Sequence, residues 1–357
     1  MAEPLADVRG RRQPRAIAWL ILAFSLPLIA LPAAQREPPP LQWEPAGVPP
    51  VPGAVRELVA VGAPGPPVLY AVAERWGIYR SDDAAGWVPT GRLPRRGLGS
   101  LEVASLAAAP DDPRLLLATL DEQGESLPEL YRSCDGGQSW VPRRGLSGLS
   151  IDALTMAPGT AAYAACGRHL YFSPDAGDSW LRLGDHPAQA RALVLAIDSA
   201  RQALYLGTEG DGLWLTTDQG ASWSSALPGH TVWALAVSGE GRMYAGADNG
   251  LYLSEDGGAS WQRLTSPELQ ESVWEVATGP DGEVAVATAG HSVVLSLDGG
   301  GTWQRLLLLP VGQRAMALLF HGGHLYVGTE QGVWRCRLPS RMQGIGCAGF
   351  GDASVQS

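Results

Sequence analysis

The chain has 357 residues, 45% of them hydrophobic and 17% charged, which excludes a disordered polymer and leaves room for one large domain behind a short leader. All 26 basic residues are arginine, and from Leu41 onward 21 of them face 33 acids, a net charge of −12. A body this acidic excludes general nucleic-acid binding, which needs cations to displace phosphate counterions, and leaves only local arginine patches.

Residues 1–15 form a basic leader that contains Arg9, Arg11, Arg12 and Arg15. The uncharged apolar run 16–34 follows, long enough at about 1.5 Å per residue to span a bilayer core. Positive charge before the run and little after it predicts a cytoplasmic N-terminus and an extracytoplasmic body. The run reads as a transmembrane anchor of a single-pass membrane protein, or as a signal segment whose removal would release a secreted domain. Residues 35–53 are a Pro-rich spacer. Within it, residues 41–46, around Trp43, have the pattern of a single strand.

From residue 54 to 338 the chain repeats itself. Ser133–Trp140 recurs as Ser173–Trp180, Thr216–Trp223, Ser254–Trp261 and Ser296–Trp303, with a degenerate copy at Ser81–Trp87. The shared pattern is Ser/Thr-x-Asp-x-Gly-x-Ser/Thr-Trp. Its acids are Asp135, Asp175, Asp218, Asp256 and Asp298, with Asp83 in the degenerate copy. Its tryptophans are Trp87, Trp140, Trp180, Trp223, Trp261 and Trp303, spaced 53, 40, 43, 38 and 42 residues apart. Short apolar runs separated by Gly turns, such as Leu204–Thr208 and Gly212–Trp214, predict three strands before each copy and one after it. Four strands in about forty residues make a propeller blade. The last unit, Met316 to Leu338, lacks a fourth strand, and Trp43 lies 44 residues before Trp87. The sequence therefore predicts an all-β, seven-bladed β-propeller of four-stranded antiparallel blades, closed by residues 41–46, with one N-terminal transmembrane or signal helix and a tail at 339–357. Six blades is the alternative if the degenerate copy is not a blade.

The repeat resembles the Asp-box, or BNR repeat, of sialidase-like propellers. That resemblance implies that the six Asp and six Trp are structural and lie on the face away from any ligand. Ligands would then meet the loops between second and third strands and the links between blades. The first class offers Glu74, Arg75, Trp76, Asp121, Glu122, Gln123, Arg168, His169, Glu209, Asp211, Asp248, Asn249, Gly290, His291, Glu330 and Gln331. The links offer Arg92, Arg95, Arg96, Arg143, Arg144, His186, Arg191, His230, Glu271 and Arg314. Arg95-Arg96 and Arg143-Arg144 follow consecutive blades and predict a guanidinium patch for carboxylates or phosphates on a partner.

In size and in its single ring the chain resembles photosystem II assembly-factor-like and sortilin-like propellers, which implies a non-enzymatic, protein-binding scaffold. Sialidases need an Arg triad, a Tyr-Glu pair and a Phe/Tyr-Arg-Ile-Pro segment, and no such segment is found. Leu69–Ser81 is similar to a segment of xyloglucan-degrading endoglucanases in which an Asp base stands where this chain has Glu74. Glu74 is thus the one catalytic candidate, and glycosidases work with two carboxyls. The alternative to the scaffold is such a hydrolase, or a sugar binder without turnover. The six His show no metal-ligand spacing and no Gly-x-Ser-x-Gly elbow occurs, so neither metal nor cofactor is expected. Cys336 and Cys347 are the disulfide candidates in an oxidising compartment, while Cys134 and Cys166 form a second bond or stay free.

Overall fold

Each repeat alternates β-branched and aromatic runs with Gly turns, and these runs form the strands of an all-β ring. The computed structural model describes residues 41–47, 51–62, 68–83, 86–91, 101–122, 129–306 and 313–339. The leader with its expected helix, and the tail with Cys347, lie outside these residues. The first strand, β1 (Trp43–Pro45), joins the last blade. Blade one holds β2 (Val55–Val61), β3 (Val68–Ala73), β4 (Gly77–Ser81) and β5 (Val88–Pro89). Blade two holds β6 (Leu101–Ala109), β7 (Asp112–Glu122), β8 (Glu129–Ser133) and β9 (Val141–Arg143). Blade three holds β10 (Ala153–Met156), β11 (Ala162–Cys166), β12 (His169–Ser173) and β13 (Leu181–Asp185). Blade four holds β14 (Ala192–Asp198), β15 (Ala203–Thr208), β16 (Leu213–Thr216) and β17 (Ser224–Leu227). Blade five holds β18 (Val232–Val237), β19 (Met243–Ala247), β20 (Gly250–Ser254) and β21 (Gln262–Arg263). Blade six holds β22 (Val273–Thr278), β23 (Val284–Thr288), β24 (Val293–Ser296) and β25 (Gln304–Leu306). Blade seven holds β26 (Ala315–His321), β27 (His324–Thr329) and β28 (Gly332–Arg337), with β1 outermost.

The inner strands β2, β6, β10, β14, β18, β22 and β26 touch in sequence, and β26 meets β2, so the ring is closed. Closure removes the open inner edge that a partial ring would expose. β1 pairs antiparallel with β28, with Trp43 opposite Cys336 and Pro45 opposite Trp334. Glu44 and Arg335 add an ion pair of 2.7 Å across the same ladder.

Seven apolar clusters, one per interface between neighbouring blades, make up the core. Six of them contain a repeat tryptophan packed against the preceding blade; Trp140, for example, joins Tyr70 and Val72 of blade one. The interface between blades six and seven has no repeat copy, and Trp43 fills that place beside Leu295, Val327 and Cys336. Polar cross-ties run between blades as well. The Tyr70, Tyr205 and Tyr244 hydroxyls donate to Pro113, Gly257 and Gly299 carbonyls at 2.8, 2.8 and 3.1 Å.

The repeat turn closes on itself. Ser179 donates its N–H and hydroxyl to the two oxygens of Asp175 at 2.8 and 2.6 Å. Ser173 donates to Asp175 at 2.8 Å and accepts from the Gly177 N–H at 2.7 Å. Asp218 and Asp256 repeat this pattern with Ser222 and Ser260. Gly177 adopts φ of 85°, a conformation that favours glycine. The serine hydroxyl and N–H bonds hold the carboxyls of Asp175, Asp218 and Asp256 down to about 2. On the outer edge, Val88 and Val141 are exposed, and each is followed by a proline that cannot donate to an added strand.

Two outcomes are expected. Trp43→Ala should cost about 2–4 kcal/mol in urea unfolding and speed amide exchange in β28, because it empties one inter-blade seam. The depressed carboxyls contribute stability above their unfolded pKa, lost as pH falls through about 2, so a triple Asp→Asn variant at 175, 218 and 256 should flatten the acid limb of a pH–urea profile.

Candidate binding face and channel

Chain direction sorts the loops into two sets. Within each blade the repeat turn and the first hairpin lie at one end of the strands; the second hairpin and the link to the next blade lie at the other. The latter end is the face expected to meet a ligand. Six of the seven inner strands carry a bulge near their start on this face, at Arg56, Ala104, Leu193, Trp233, Trp274 and Met316. A bulge re-aims one side chain without disturbing the ladder beyond it.

Around this rim, Arg56 forms an ion pair of 3.0 Å with Glu74. Arg75, with φ of 65°, turns the hairpin, and Trp76 is 63% exposed beside Gly53. A Cβ at Gly53 would come within 2.9 Å of the Trp76 ring, so that close approach requires glycine. Trp233 is 40% exposed. The Arg314 guanidinium lies 3.5 Å over the Trp274 ring, a cation–π contact that joins blade six to the link entering blade seven.

Most polar residues expected on this face are anchored within it. Asp211 accepts the N–H groups of Gln189 and Ala190 at 2.5 and 3.1 Å. Glu271 accepts from Thr288 at 2.9 Å and from the Gly290 N–H at 2.7 Å. Asp248 meets His230 at 3.1 Å, and Asn249 donates to the Tyr252 hydroxyl at 2.9 Å. Arg191 pairs with Asp152 at 2.9 Å. His186 is buried against the Gly167 carbonyl, and that burial holds its pKa below the ordinary range. His169 and Arg182 share Asp185, whose carboxyl they hold below its usual pKa. Gln331 accepts from Gln313 at 3.1 Å. Arg168, Glu209, His291 and Glu330 are more open; Arg168, Glu209 and His291 are exposed in the loops of blades three, four and six and Glu330 in that of blade seven.

The guanidinium patch is described only in part. Arg92, Arg95 and Arg96 lie outside the described residues, as do Gln123 and the side chains of Asp121 and Glu122. Arg144 is exposed, but Arg143 is half-buried and pairs with Asp178 at 3.0 Å, where Arg132 also binds at 2.6 Å. Arg143 therefore ties blade two to the repeat turn of blade three. Cys134 and Cys166 carry free thiols, and Cys336 is buried in the seam with Trp43.

Two residues absent from the sequence reading line the channel. Glu57 and Glu275 occupy equivalent positions, each one residue past the bulge of its inner strand. Glu57 accepts the Leu106 N–H of the next inner strand at 2.9 Å. Burial pushes the Glu57 carboxyl up to about 7 against the pull of that bond. Burial, and then the charge of Glu57, push Glu275 up to about 8. The signal was present as single acids inside the apolar runs Val55–Val61 and Val273–Val276, where packing alone favours an apolar side chain.

No family model matches this sequence, and no curated protein matches it. Solved structures do. A structure described as YCF48 bound to D1 peptide superimposes with a TM-score of 0.64 at 16% identity, covering 85% of this chain and 98% of that one. YCF48 from Cyanidioschyzon merolae gives 0.63 at 16%, covering 83% and 98%. A GH74 xyloglucanase from Xanthomonas campestris gives 0.64 at 18%, covering 83% of this chain and 53% of the enzyme, so the chain spans about half of that protein. At these identities the likeness defines the class: a seven-bladed β-propeller of the kind found in YCF48 and in GH74 enzymes.

Because the native ring binds protons at Glu57 and Glu275 that the unfolded chain releases near pH 4.5, stability is expected to fall as pH rises from about 4.5 to 8. Glu275→Gln should remove the slope between about pH 7 and 8 and roughly half of it below pH 7, where Glu57 still titrates, and stabilise the ring at about pH 8.5 by on the order of 2–3 kcal/mol, read from urea midpoints across pH.

Proposed function

We propose that this chain is a non-enzymatic binding scaffold, held on the extracytoplasmic side of the membrane by residues 16–34, whose loop face grips a polypeptide partner. One observation carries the reading: Trp76, Trp233 and the Arg314–Trp274 pair stand on the rim of consecutive blades five, six, seven and one. Exposed Trp and Arg are the residue types that dominate the energetics of protein interfaces. Ion pairs and turn bonds already occupy most of the acids there, so the rim presents aromatic and guanidinium chemistry rather than a general acid. A ring of the same fold, YCF48, holds a D1 peptide, which supports a peptide-sized ligand here. The repeat turns, read as Asp-boxes, belong to the opposite end and serve the scaffold.

A second reading, hydrolysis of a β-glucan, draws on Glu57 and Glu275. Two carboxyls raised into the neutral range, one of them in part by the charge of the other, have the character of an acid–base pair, and a GH74 propeller has this fold. The Leu106 N–H bond gives Glu57 a structural role that favours the scaffold.

Affinity capture from membranes with the full-length chain separates the two. The expected result is one stoichiometric membrane protein, lost by at least about tenfold with Trp233→Ala combined with Arg314→Glu and retained with Glu57→Gln and Glu275→Gln. Release of reducing sugar from xyloglucan by the purified protein, abolished by Glu275→Gln, would overturn the scaffold in favour of the enzyme.

A further inference from the structure

The end of the ring opposite the loop face holds a half-open cavity of about 390 Å³ between blades one, two, six and seven. Its walls come from first hairpins, the part of each blade least constrained by the repeat. Phe320, Leu338 and Pro280 supply apolar surface, while Asp281 and Glu283 line it from blade six and His321 and His324 from blade seven. Nothing in the scaffold reading uses this site.

The polar groups present mainly acceptors. Glu283 takes the Asp281 N–H at 2.9 Å, which shapes the hairpin, and both carboxyl groups line the cavity. The His324 Nδ1 lies 2.9 Å from the Gly322 carbonyl. A carbonyl only accepts, so Nδ1 carries the hydrogen of that bond. Burial, and then the neighbouring His324, hold His321 below the ordinary imidazole range. Both imidazole centroids sit 6.2 Å from that of the Tyr326 ring, in tilted arrangements.

Such a set excludes anions, because two carboxylates already charge the wall. Among the described residues no group of three His, Cys, Asp or Glu side chains is placed to hold a metal ion. A cation with an apolar body remains, and the volume suits about ten to fifteen non-hydrogen atoms. We propose that this cavity binds a small arylalkyl ammonium ion, its nitrogen against Asp281 and Glu283 and its ring on Phe320 and Leu338. The hydrogen-bonding nitrogen and the apolar body are both required, so the neutral and anionic isosteres bind poorly.

The test is calorimetric titration of the full-length protein in detergent with phenethylammonium, 2-phenylethanol and phenylacetate. Saturable binding of phenethylammonium, at least about tenfold tighter than either isostere, is the expected result. Asp281→Asn with Glu283→Gln should weaken it by about tenfold or more while leaving the melting temperature within about 2 °C. Trp233→Ala with Arg314→Glu, on the other face, should leave it unchanged. The proposal fails if phenethylammonium shows no saturation by about 10 mM, if phenylacetate binds equally, or if the folded carboxylate variant binds as wild type does.

Discussion

Everything in this molecule depends on burying one blade face to face against the next, with an indole in each seam. A four-stranded sheet cannot bury both faces alone, so each blade is stable only between two neighbours. Repeat tryptophans seal six of the seven seams. The seventh, between blades six and seven, is sealed by Trp43, carried in by a strand from the other end of the described chain. One short segment thus supplies both the missing outer strand and the missing indole, and ring closure becomes a single cooperative requirement rather than two.

That requirement divides the polar residues into two groups. In the repeat turns the Asp and Ser or Thr side chains bind each other and the turn backbone, which fixes the tryptophan that follows and leaves those acids no chemistry to offer. Where the turns are absent, blades differ from one another. The bulged positions change from Arg56 to Trp233, Trp274 and Met316 around the ring, and Glu57 and Glu275 stand where packing alone favours an apolar side chain. Departures from the repeat that cost stability mark the places where a fold serves something other than itself.

The ring itself does not choose a function. The same architecture occurs in a peptide-holding YCF48 and in about half of a xyloglucanase, so chemistry must be read from individual side chains on each face. On the loop face those side chains are aromatic and guanidinium; in the channel they are two carboxyls that burial pushes up into the neutral range.

Strands, turns and the number of blades were legible from the sequence because they are local: a Gly at positive φ, an Asp two residues after a Ser, and an apolar run of five residues signal their structure within one repeat. The degenerate copy at Ser81–Trp87 also counts as a blade, since Trp87 is buried and its indole N–H donates to the Ala46 carbonyl at 2.8 Å. What lies across a seam was not legible. Arg143 looked like half of a surface patch, but its partner Asp178 sits at a variable position of the next repeat turn. Arg314 stacks on Trp274 because a bulge turns that ring outward, and Glu275 feels Glu57 only once the ring has closed. The sequence by itself determined the blades; tertiary structure decided which of their side chains meet, because contacts between blades depend on bulges and side-chain directions that spacing along the chain does not encode.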